Sequence, residues 1–501
     1  MPDTQQHVPT KEKIGYAMGD IATNFFFQSM ILYQTRFYTD TAGLSAGAVS
    51  YMLFILRIVD AFVDPFVGGL SDRTQSRWGK FRPWILGTAL PFGLIFWLTY
   101  VTPDFGPSSK LVYAYITYSL LMMMYSANNT PYSALMAVMT PDSSERSSIA
   151  SYRFVGALIG QFIIQGLPLP LVAKIGQGNS AKGWAVTMSI FAALIVILNL
   201  ITFLSTKERL QPPPGDKHSI WADVKDVFSC GPWVAMFVLT LVVFTMLVVR
   251  GSSTNYLFAY YLDHGQIREF LGKFGLAEGA SISGIWASTL NAFGLLIKPD
   301  GSNAADVAFS LFFVVGSIVQ IVGIIFSKPL ADRFGKKPVF IAGVAVTTIA
   351  TVWVFWATPS SIELLFALSI LWAVGWGPTV PLLWVMIADV ADYSEWKNHR
   401  RATGFMFAGI LFALKAGLGI GGGLSGQVLK WYGYVPNVAQ SERSLLGIRL
   451  GSSVFPAILL GLVIVCLFAY PISKSLNAKI QDDLTERRKK YATMNAQATS
   501  S

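Results

Sequence analysis

Two carboxylates, Asp60 and Asp64, stand four residues apart in the apolar run Tyr51–Ser71, which is long enough to cross a bilayer. A spacing of four places both side chains on one face of a helix. An ionised carboxylate near the middle of a membrane costs about 2.5–3.5 kcal/mol on insertion scales. Because two like charges on one face also raise each other's proton affinity, the pair predicts a site for a small cation. Arg57, one turn earlier, offers the alternative that it neutralises Asp60, but that pairing leaves Asp64 unexplained.

The composition places these carboxylates in an integral membrane protein. Of the 501 residues, 53% are hydrophobic and only 13% are charged, and the mean hydropathy is +0.50, whereas about a quarter of the residues of a soluble domain are charged. Apolar windows of about 20 residues predict an all-α protein with twelve membrane-spanning helices. The predicted spans are residues 14–38, 46–71, 83–102, 111–139, 148–173, 183–205, 233–262, 306–327, 338–357, 362–387, 403–429 and 451–473. The polar first dozen residues lead directly into the first span, which predicts no cleavable signal peptide.

The net charge of +10 follows membrane topology and does not indicate nucleic-acid binding. If both termini are cytoplasmic, the segments on that side carry 24 of the 38 Lys and Arg residues and the opposite segments carry 9. This positive-inside asymmetry predicts cytoplasmic N- and C-termini in the cell membrane. The segment Ser281–Ile297 is nearly apolar enough to be a thirteenth span, but another crossing would place the basic tail outside. We therefore assign it to a long outer loop of residues 263–305, as short interfacial helices with a lid or interaction role.

No catalytic or metal-binding pattern accompanies the carboxylates. The sequence has no Ser–His–Asp set and no nucleotide motif, only four His residues, and two distant Cys residues. We therefore expect neither an enzyme nor a protein that depends on a cofactor.

A repeated loop divides the chain into two halves. One loop contains Asp72-Arg73 followed by residues 79–83 (GKFRP), and another contains Asp332-Arg333 followed by residues 335–338 (GKKP). Both loops join the second and third spans of a six-span half. This repeat predicts the major facilitator architecture, two pseudo-symmetric six-helix halves with a substrate site between them near the midplane. We assign residues 1–205 to the N-terminal half, 206–232 to a cytoplasmic linker, 233–480 to the C-terminal half and 481–501 to a cytoplasmic tail.

Three motifs resemble the glycoside–pentoside–hexuronide:cation symporters, the family of the melibiose carrier. They are residues 57–65 (RIVDAFVDP) continuing to 76–84 (SRWGKFRPW), residues 388–397 (ADVADYSEWK) and residues 15–20 (GYAMGD). The motifs occur in the order expected of the family, and the resemblance covers nearly the whole chain except the 263–305 insertion. It implies an alternating-access transporter that moves a sugar, glycoside or oligosaccharide together with H⁺, Na⁺ or Li⁺.

The resemblance assigns the cation site. Asp60 and Asp64 match the family's cation ligands, and Ser126 falls where the family has a hydroxyl ligand, which suits a hard cation. Val63 departs from the pattern, because the sodium-using melibiose carrier has an oxygen-bearing side chain at this position. A proton needs only a carboxylate of raised pKa, whereas Na⁺ needs several oxygens, so the departure favours H⁺ over Na⁺. No metal other than a transported Na⁺ is expected.

The sugar site departs from the family as well. Asn24 and Asn129 stand where the melibiose carrier binds its galactoside through carboxylates, and an Asn side chain both donates to and accepts from hydroxyl groups. The alternative is that these two residues join helices by hydrogen bonds. Arg153 and Lys415 remain at matching positions. For Lys415, an ion pair with the carboxylates of span 2 competes with a contact to the substrate.

Four further side chains complete the predicted substrate site. Arg250 is expected to line the cavity because an intramembrane charge rarely faces lipid, and Asp20 is the compensating acid on span 1. Tyr132 is a stacking candidate, while Trp376, one turn from Trp372, either stacks on a sugar ring or packs against its neighbours. The loss of two family carboxylates makes the cavity more positive, which favours glycosides or oligosaccharides that include a uronic acid over strictly neutral disaccharides.

The repeated loops supply a predicted inner gate. Asp72, Arg73 and Arg77 of the first loop and Asp332 and Arg333 of the second are expected to form charge pairs that close the inner side, unless they are only solvated positive-inside charges. Two other functions stay open, namely symport of an amphiphilic, lipid-like solute and sugar sensing without transport. The expected partners are a small-molecule sugar and membrane lipid, with no nucleic acid and with the monomer as the functional unit.

Overall fold

The computed structural model describes residues 7–140, 142–210, 228–277, 285–398 and 403–498. Most of the predicted linker, part of the 263–305 insertion and the last residues of the tail lie outside these ranges. Within them the regular elements are helices joined by short loops. The all-α fold expected from the apolar windows is therefore confirmed.

Long helices coincide with the twelve predicted spans and are labelled in chain order. They are α1 (Thr10–Leu32), α2 (Ala46–Arg73), α3 (Arg82–Thr99), α4 (Pro107–Met139), α5 (Ser143–Gly166), α6 (Ser180–Ser205), α7 (Gly231–Tyr256), α8 (Ala304–Phe334), α9 (Lys336–Trp353), α10 (Ile362–Asn398), α11 (Thr403–Trp431) and α12 (Val454–Ala469). In the described part of the chain, nine helical segments are long and apolar enough to cross a bilayer. α1, α3 and α4 are not among these nine but pack against helices that are, which is consistent with twelve spans.

Shorter helical pieces extend the long helices or fill the loops. They are Gln34–Arg36 and Phe37–Thr41 after α1, Pro168–Gly176 after α5, Leu257–Tyr261 after α7, Val354–Trp356 after α9, Glu442–Ser452 before α12, and Lys474–Ala498 in the tail. The described part of the insertion contains the helices His264–Gly272 and Ile285–Ala292. Eight residues at 1.5 Å per residue span about 12 Å. The helix Ile285–Ala292 is therefore too short by itself to cross a bilayer.

Glycines bring α2 and α11 close together. A Cβ atom at Gly426 would lie 2.7 Å from the carbonyl oxygen of Ala46, and one at Gly419 would lie 2.6 Å from the Cβ atom of Arg57. Only glycine fits such a short distance, as in the small-residue interfaces of other membrane helices. This close approach joins α2, which precedes the predicted linker, to α11, which follows it. It also places side chains of α11 beside Asp60 and Asp64.

The two ends of the bundle carry different groups. At the end where α1 begins, called here the terminal side, Glu12 pairs with Arg209 beyond α6 at 2.8 Å. At the same end, Glu208 accepts hydrogen bonds from three consecutive backbone N–H groups that begin at Lys80. The opposite end, called the insertion side, holds the end of α7, the start of α8 and the insertion between them.

Candidate functional site

Lys415 of α11 lies between the two carboxylates of α2. Its Nζ atom is 3.0 Å from Asp60 Oδ2 and 2.7 Å from Asp64 Oδ2. The same ammonium group donates to Ser126 Oγ at 2.8 Å, and Ser126 Oγ donates to Asp60 Oδ1 at 2.8 Å. The three residues predicted as cation ligands are thus brought together. The Lys415 ammonium occupies a position at which a positive charge is surrounded by three side-chain oxygens.

The two carboxylates differ in their access to solvent. The side chain of Asp60 is fully buried, whereas that of Asp64 is 27% exposed. Thr130 Oγ1 lies one turn beyond Ser126 on α4 and donates to Asp64 Oδ1 at 3.2 Å. Thr130 was not among the predicted ligands, although its spacing of four from Ser126 places both hydroxyl groups on one face of the helix. Asp64 is therefore the carboxylate of the pair that solvent reaches.

Arg57 does not neutralise either carboxylate. Its Nε atom donates to the Tyr118 hydroxyl at 2.9 Å, and its guanidinium lies 5.9 Å from the centre of the Phe26 ring. Its Nη2 atom is buried without a hydrogen-bond partner. No carboxylate of the described residues lies within 4.0 Å of Arg57. Lys415, and not Arg57, is therefore the cation that neutralises these carboxylates, because α11 approaches α2 closely enough for the lysine to reach both acids.

A cavity of about 550 Å³ lies between the two sets of helices, within the range of about 300–1,000 Å³ that small-molecule sites occupy. The wall from α1 and α5, called the polar wall, carries most of the amide and charged groups, whereas the wall from α7 to α10, called the aromatic wall, carries most of the aromatic side chains. The polar wall includes Asp20, Thr23, Asn24, Gln28, Arg153 and Gln161. The aromatic wall includes Phe244, Phe312, Phe313, Phe340, Trp372, Trp376 and Trp384.

Asp20 neutralises the arginine of the polar wall. Arg153 Nε and Nη2 donate to the two oxygens of Asp20 at 2.7 and 3.1 Å, which is a bidentate ion pair. The Tyr132 hydroxyl donates to the same carboxylate at 2.7 Å. Arg153 therefore offers the cavity hydrogen-bond donors without an excess of positive charge.

Arg250 is a cavity cation without an acidic partner. Its guanidinium lies 4.0 Å from the centre of the Trp372 ring, and 5.9 and 5.8 Å from those of Phe312 and Phe313. No carboxylate of the described residues is within 4.0 Å of this side chain. Trp372 in turn stacks on Trp376, with 5.4 Å between ring centroids. Trp376 thus packs against its neighbour and also lines the cavity, and its stacking on a sugar ring stays a prediction.

Three predicted substrate residues lie away from the cavity wall. Asn129 is outside the lining and its Nδ2 atom is 3.3 Å from the Tyr125 hydroxyl. Tyr132 is fully buried and stacks on Tyr16 at 4.7 Å, so it differs from the expected sugar-stacking residue because Asp20 holds its hydroxyl. Lys415 is also outside the lining, because its ammonium group binds Asp60 and Asp64. Asn24 does line the cavity, although its Nδ2 atom donates to a carbonyl of its own helix at 3.0 Å.

The residues of the predicted inner gate are not joined in this conformation. Among the described residues, Asp72, Arg73, Arg77, Asp332 and Arg333 form no ion pair. The Arg77 guanidinium lies 4.4 Å from the centre of the neighbouring Trp78 ring, and Arg333 lies 5.1 Å from that of Phe334. The charge pairs of this gate stay a prediction for the conformation in which the two loops meet.

Comparison with known proteins gives consistent results. A family model described as MFS/sugar transport protein matches residues 15–294 and 302–474. A putative glycoside/cation symporter of Escherichia coli is 32% identical, covering 95% of this chain and 95% of its own. An isoprimeverose transporter of Lactiplantibacillus pentosus is 30% identical, covering 98% and 94%. The crystal structure of a D-xylose-proton symporter superposes with a TM-score of 0.59 and 13% identity, covering 92% and 97%. That structure supports the major facilitator fold.

Proposed function

The chain belongs to the MFS/sugar transport protein family, as a glycoside–pentoside–hexuronide:cation symporter of the major facilitator superfamily, and on this premise we propose how it performs cation-coupled sugar symport. The observation that carries the proposal is the ion pair of Lys415 with Asp60 and Asp64. It joins α2 of one half to α11 of the other. The charge state of the carboxylates therefore affects how strongly the halves hold together, and this is the requirement for coupling a cation to a conformational change.

The coupling follows from competition for the carboxylates. A cation that binds at Asp64 replaces part of the charge that Lys415 supplies, which weakens the contact between α2 and α11. Sugar bound between the polar and aromatic walls then stabilises the rearranged state. Because the coupling free energy is shared, sugar raises the affinity for the cation by the same factor as the cation raises the affinity for sugar.

H⁺ is the coupling cation that the site supports best. Three side-chain oxygens surround the Lys415 ammonium, and Val63 adds none. Na⁺ needs several oxygen ligands, whereas a proton needs one carboxylate whose proton affinity is raised by a second carboxylate nearby. The partial exposure of Asp64 gives protons a route to the pair.

The substrate is a glycoside or oligosaccharide, and an acidic one is favoured. The amide and guanidinium groups of the polar wall match sugar hydroxyl groups, and the aromatic wall matches the apolar face of a sugar ring. An amphiphilic solute would instead place apolar surface against the amide groups of Asn24, Gln28 and Gln161. No acid of the described residues pairs with Arg250, so a carboxylate on the substrate would form a charge-assisted hydrogen bond there. The terminal side faces the cytoplasm and the monomer is the transporting unit.

Uptake into membrane vesicles tests these assignments. The chain is produced in a host without related carriers, and labelled neutral and acidic glycosides are offered under a proton gradient or a sodium gradient. We expect accumulation under the proton gradient and stronger competition by the acidic form of one sugar than by its neutral form. Binding without uptake would indicate a sensor and contradict the transport mechanism. Preference for the neutral form would exclude the role given to Arg250.

A further inference from the structure

A network of polar side chains joins the two halves on the insertion side and plays no part in the sites above. Arg36 follows α1, and its Nη1 atom donates to Asn255 Oδ1 at 2.7 Å and to Asp306 Oδ1 at 3.0 Å. Asn255 Nδ2 returns a hydrogen bond to the carbonyl oxygen of Leu32 at 2.8 Å. Asn255 ends α7 and Asp306 begins α8. Every one of these contacts therefore crosses from one half to the other.

Asp40, four residues after Arg36, repeats the arrangement. Its two carboxylate oxygens accept hydrogen bonds from Tyr260 at 2.7 Å and from Tyr434 at 2.6 Å. Asn437 Nδ2 donates to its carbonyl oxygen at 2.7 Å. The Asp40 side chain is 9% exposed. Burial and the Asp40 carboxylate hold the pKa of the Tyr434 phenol well above its ordinary value, so this phenol stays a donor.

The network lies at the end of the cavity that faces the insertion side. Leu32 and Gly251 line the cavity and lie one helical turn before Arg36 and Asn255, respectively. On the terminal side the two repeated loops are not joined by ion pairs among the described residues, as reported above. The cavity is thus closed towards the insertion side and not closed by charge pairs at the other end.

We propose that Arg36, Asp40, Asn255 and Asp306 form the gate on the insertion side and that Arg36 with Asp306 sets the population of the state in which this side is closed. The proposal rests on the alternating-access function given above. When the opposite state forms, the ends of α1, α7 and α8 separate and these contacts break. Arg36 and Asp306 are positioning residues, since neither is among the residues lining the cavity.

Accessibility of a cysteine in the cavity tests the gate. The background carries Cys230→Ser and Cys466→Ser, and Ala157→Cys places one thiol on the cavity wall. A membrane-impermeant maleimide is applied to vesicles that expose the insertion side. We expect Arg36→Gln and Asp306→Asn each to raise the labelling rate roughly tenfold, which corresponds to about 1.4 kcal/mol in the closed-to-open equilibrium. Lys182→Gln removes an exposed charge on the same side and is expected to leave the rate unchanged.

A milder variant keeps the test decisive if Arg36→Gln does not reach the membrane. Tyr434→Phe removes one hydroxyl group from Asp40 and is expected to raise the labelling rate a few-fold. Unchanged labelling in both Asp306→Asn and Tyr434→Phe, with the thermal unfolding of the parent, would overturn the gate. Labelling does not depend on the sugar, so faster labelling without uptake of any glycoside would support the gate and contradict the substrate. Labelling of the gate variants at the parental rate, together with normal uptake of glycoside, would contradict the gate and support the substrate.

Discussion

Replacing Asp64 with asparagine is expected to abolish cation-driven accumulation of sugar while downhill exchange survives. In the structure Asp60, Asp64 and Lys415 carry a summed charge of −1 at ionic contact distances of 3.0 and 2.7 Å. Asp64→Asn reduces that sum to zero, because Lys415 alone then balances Asp60. A coupling cation loses the net attraction that draws it into the site, whereas the cavity that holds the sugar keeps its walls.

The expected loss of cation affinity follows from the distances and the exposure. Two unit charges 4 Å apart attract each other by about 4 kcal/mol at an effective dielectric constant of 20. Since the Asp64 side chain is 27% exposed, screening reduces this attraction, and we take about 2 kcal/mol as its lower bound. At about 1.4 kcal/mol per tenfold change, the cation affinity falls between roughly 30-fold and roughly 700-fold.

Two vesicle assays separate accumulation from exchange. Under an imposed proton gradient, the ratio of internal to external sugar is expected to fall to about 1 in Asp64→Asn, the value at which no gradient energy is used. Exchange of internal for external sugar without a gradient should retain most of its rate. Asp104→Asn removes an exposed carboxylate from the loop between α3 and α4 and serves as the matched control. Accumulation at the parental ratio by Asp64→Asn would remove this carboxylate from the coupling mechanism.

The remaining predictions use the same preparations. Lys415→Met leaves the two carboxylates without their cation and is expected to cost about 3–5 kcal/mol of stability, measured by thermal unfolding in detergent, and Asp60→Asn in the same chain should restore part of it. Arg250→Gln should raise the KM for an acidic glycoside about 10–100-fold, as expected for a lost charge-assisted hydrogen bond, and leave the KM of its neutral analogue within about twofold. A protonophore should collapse accumulation, whereas replacing Na⁺ by choline at fixed pH should not. A strict Na⁺ requirement would instead show that Thr130 or backbone oxygens replace the ligand missing at Val63.

The sequence predicts well the features that depend on local spacing. Asp60 and Asp64 share a helix face because they stand four residues apart, and the structure keeps both on the same side of α2. The positions of the long helices follow the apolar windows, since a bilayer requires about 20 apolar residues per crossing, but their ends do not, as α10 continues to Asn398 beyond the predicted end at residue 387. Glycines at a helix interface also indicate close packing, and Gly426 of α11 lies against the backbone of Ala46 at the start of α2.

Features that depend on the register between distant helices are not predicted in this way. Lys415 was expected to contact either a carboxylate or the substrate, and it binds both carboxylates because α11 meets α2 along glycines. Tyr132 was expected to stack on the sugar, but its hydroxyl group donates to Asp20 and its ring stacks on Tyr16. Arg36 and Asp306 are 270 positions apart, and neither position carries a spacing signal that points to the other. Only the packing of the two halves reveals that pair.

Five Lys and Arg side chains lie within the predicted spans, and the structure gives them two kinds of partner. Arg36, Arg153 and Lys415 each bind a carboxylate, Arg36 in the proposed gate, Arg153 on the polar wall and Lys415 in the proposed cation site. Among the described residues, Arg57 and Arg250 have no carboxylate within 4.0 Å and rest on aromatic rings. A buried charge without a counter-ion is costly, and that cost falls when an anion arrives. For Arg250, which lines the cavity, the anion must come with the substrate. Arg57 is a buried residue of α2 itself, so we expect its counter-ion to be a carboxylate of that helix once Lys415 releases one.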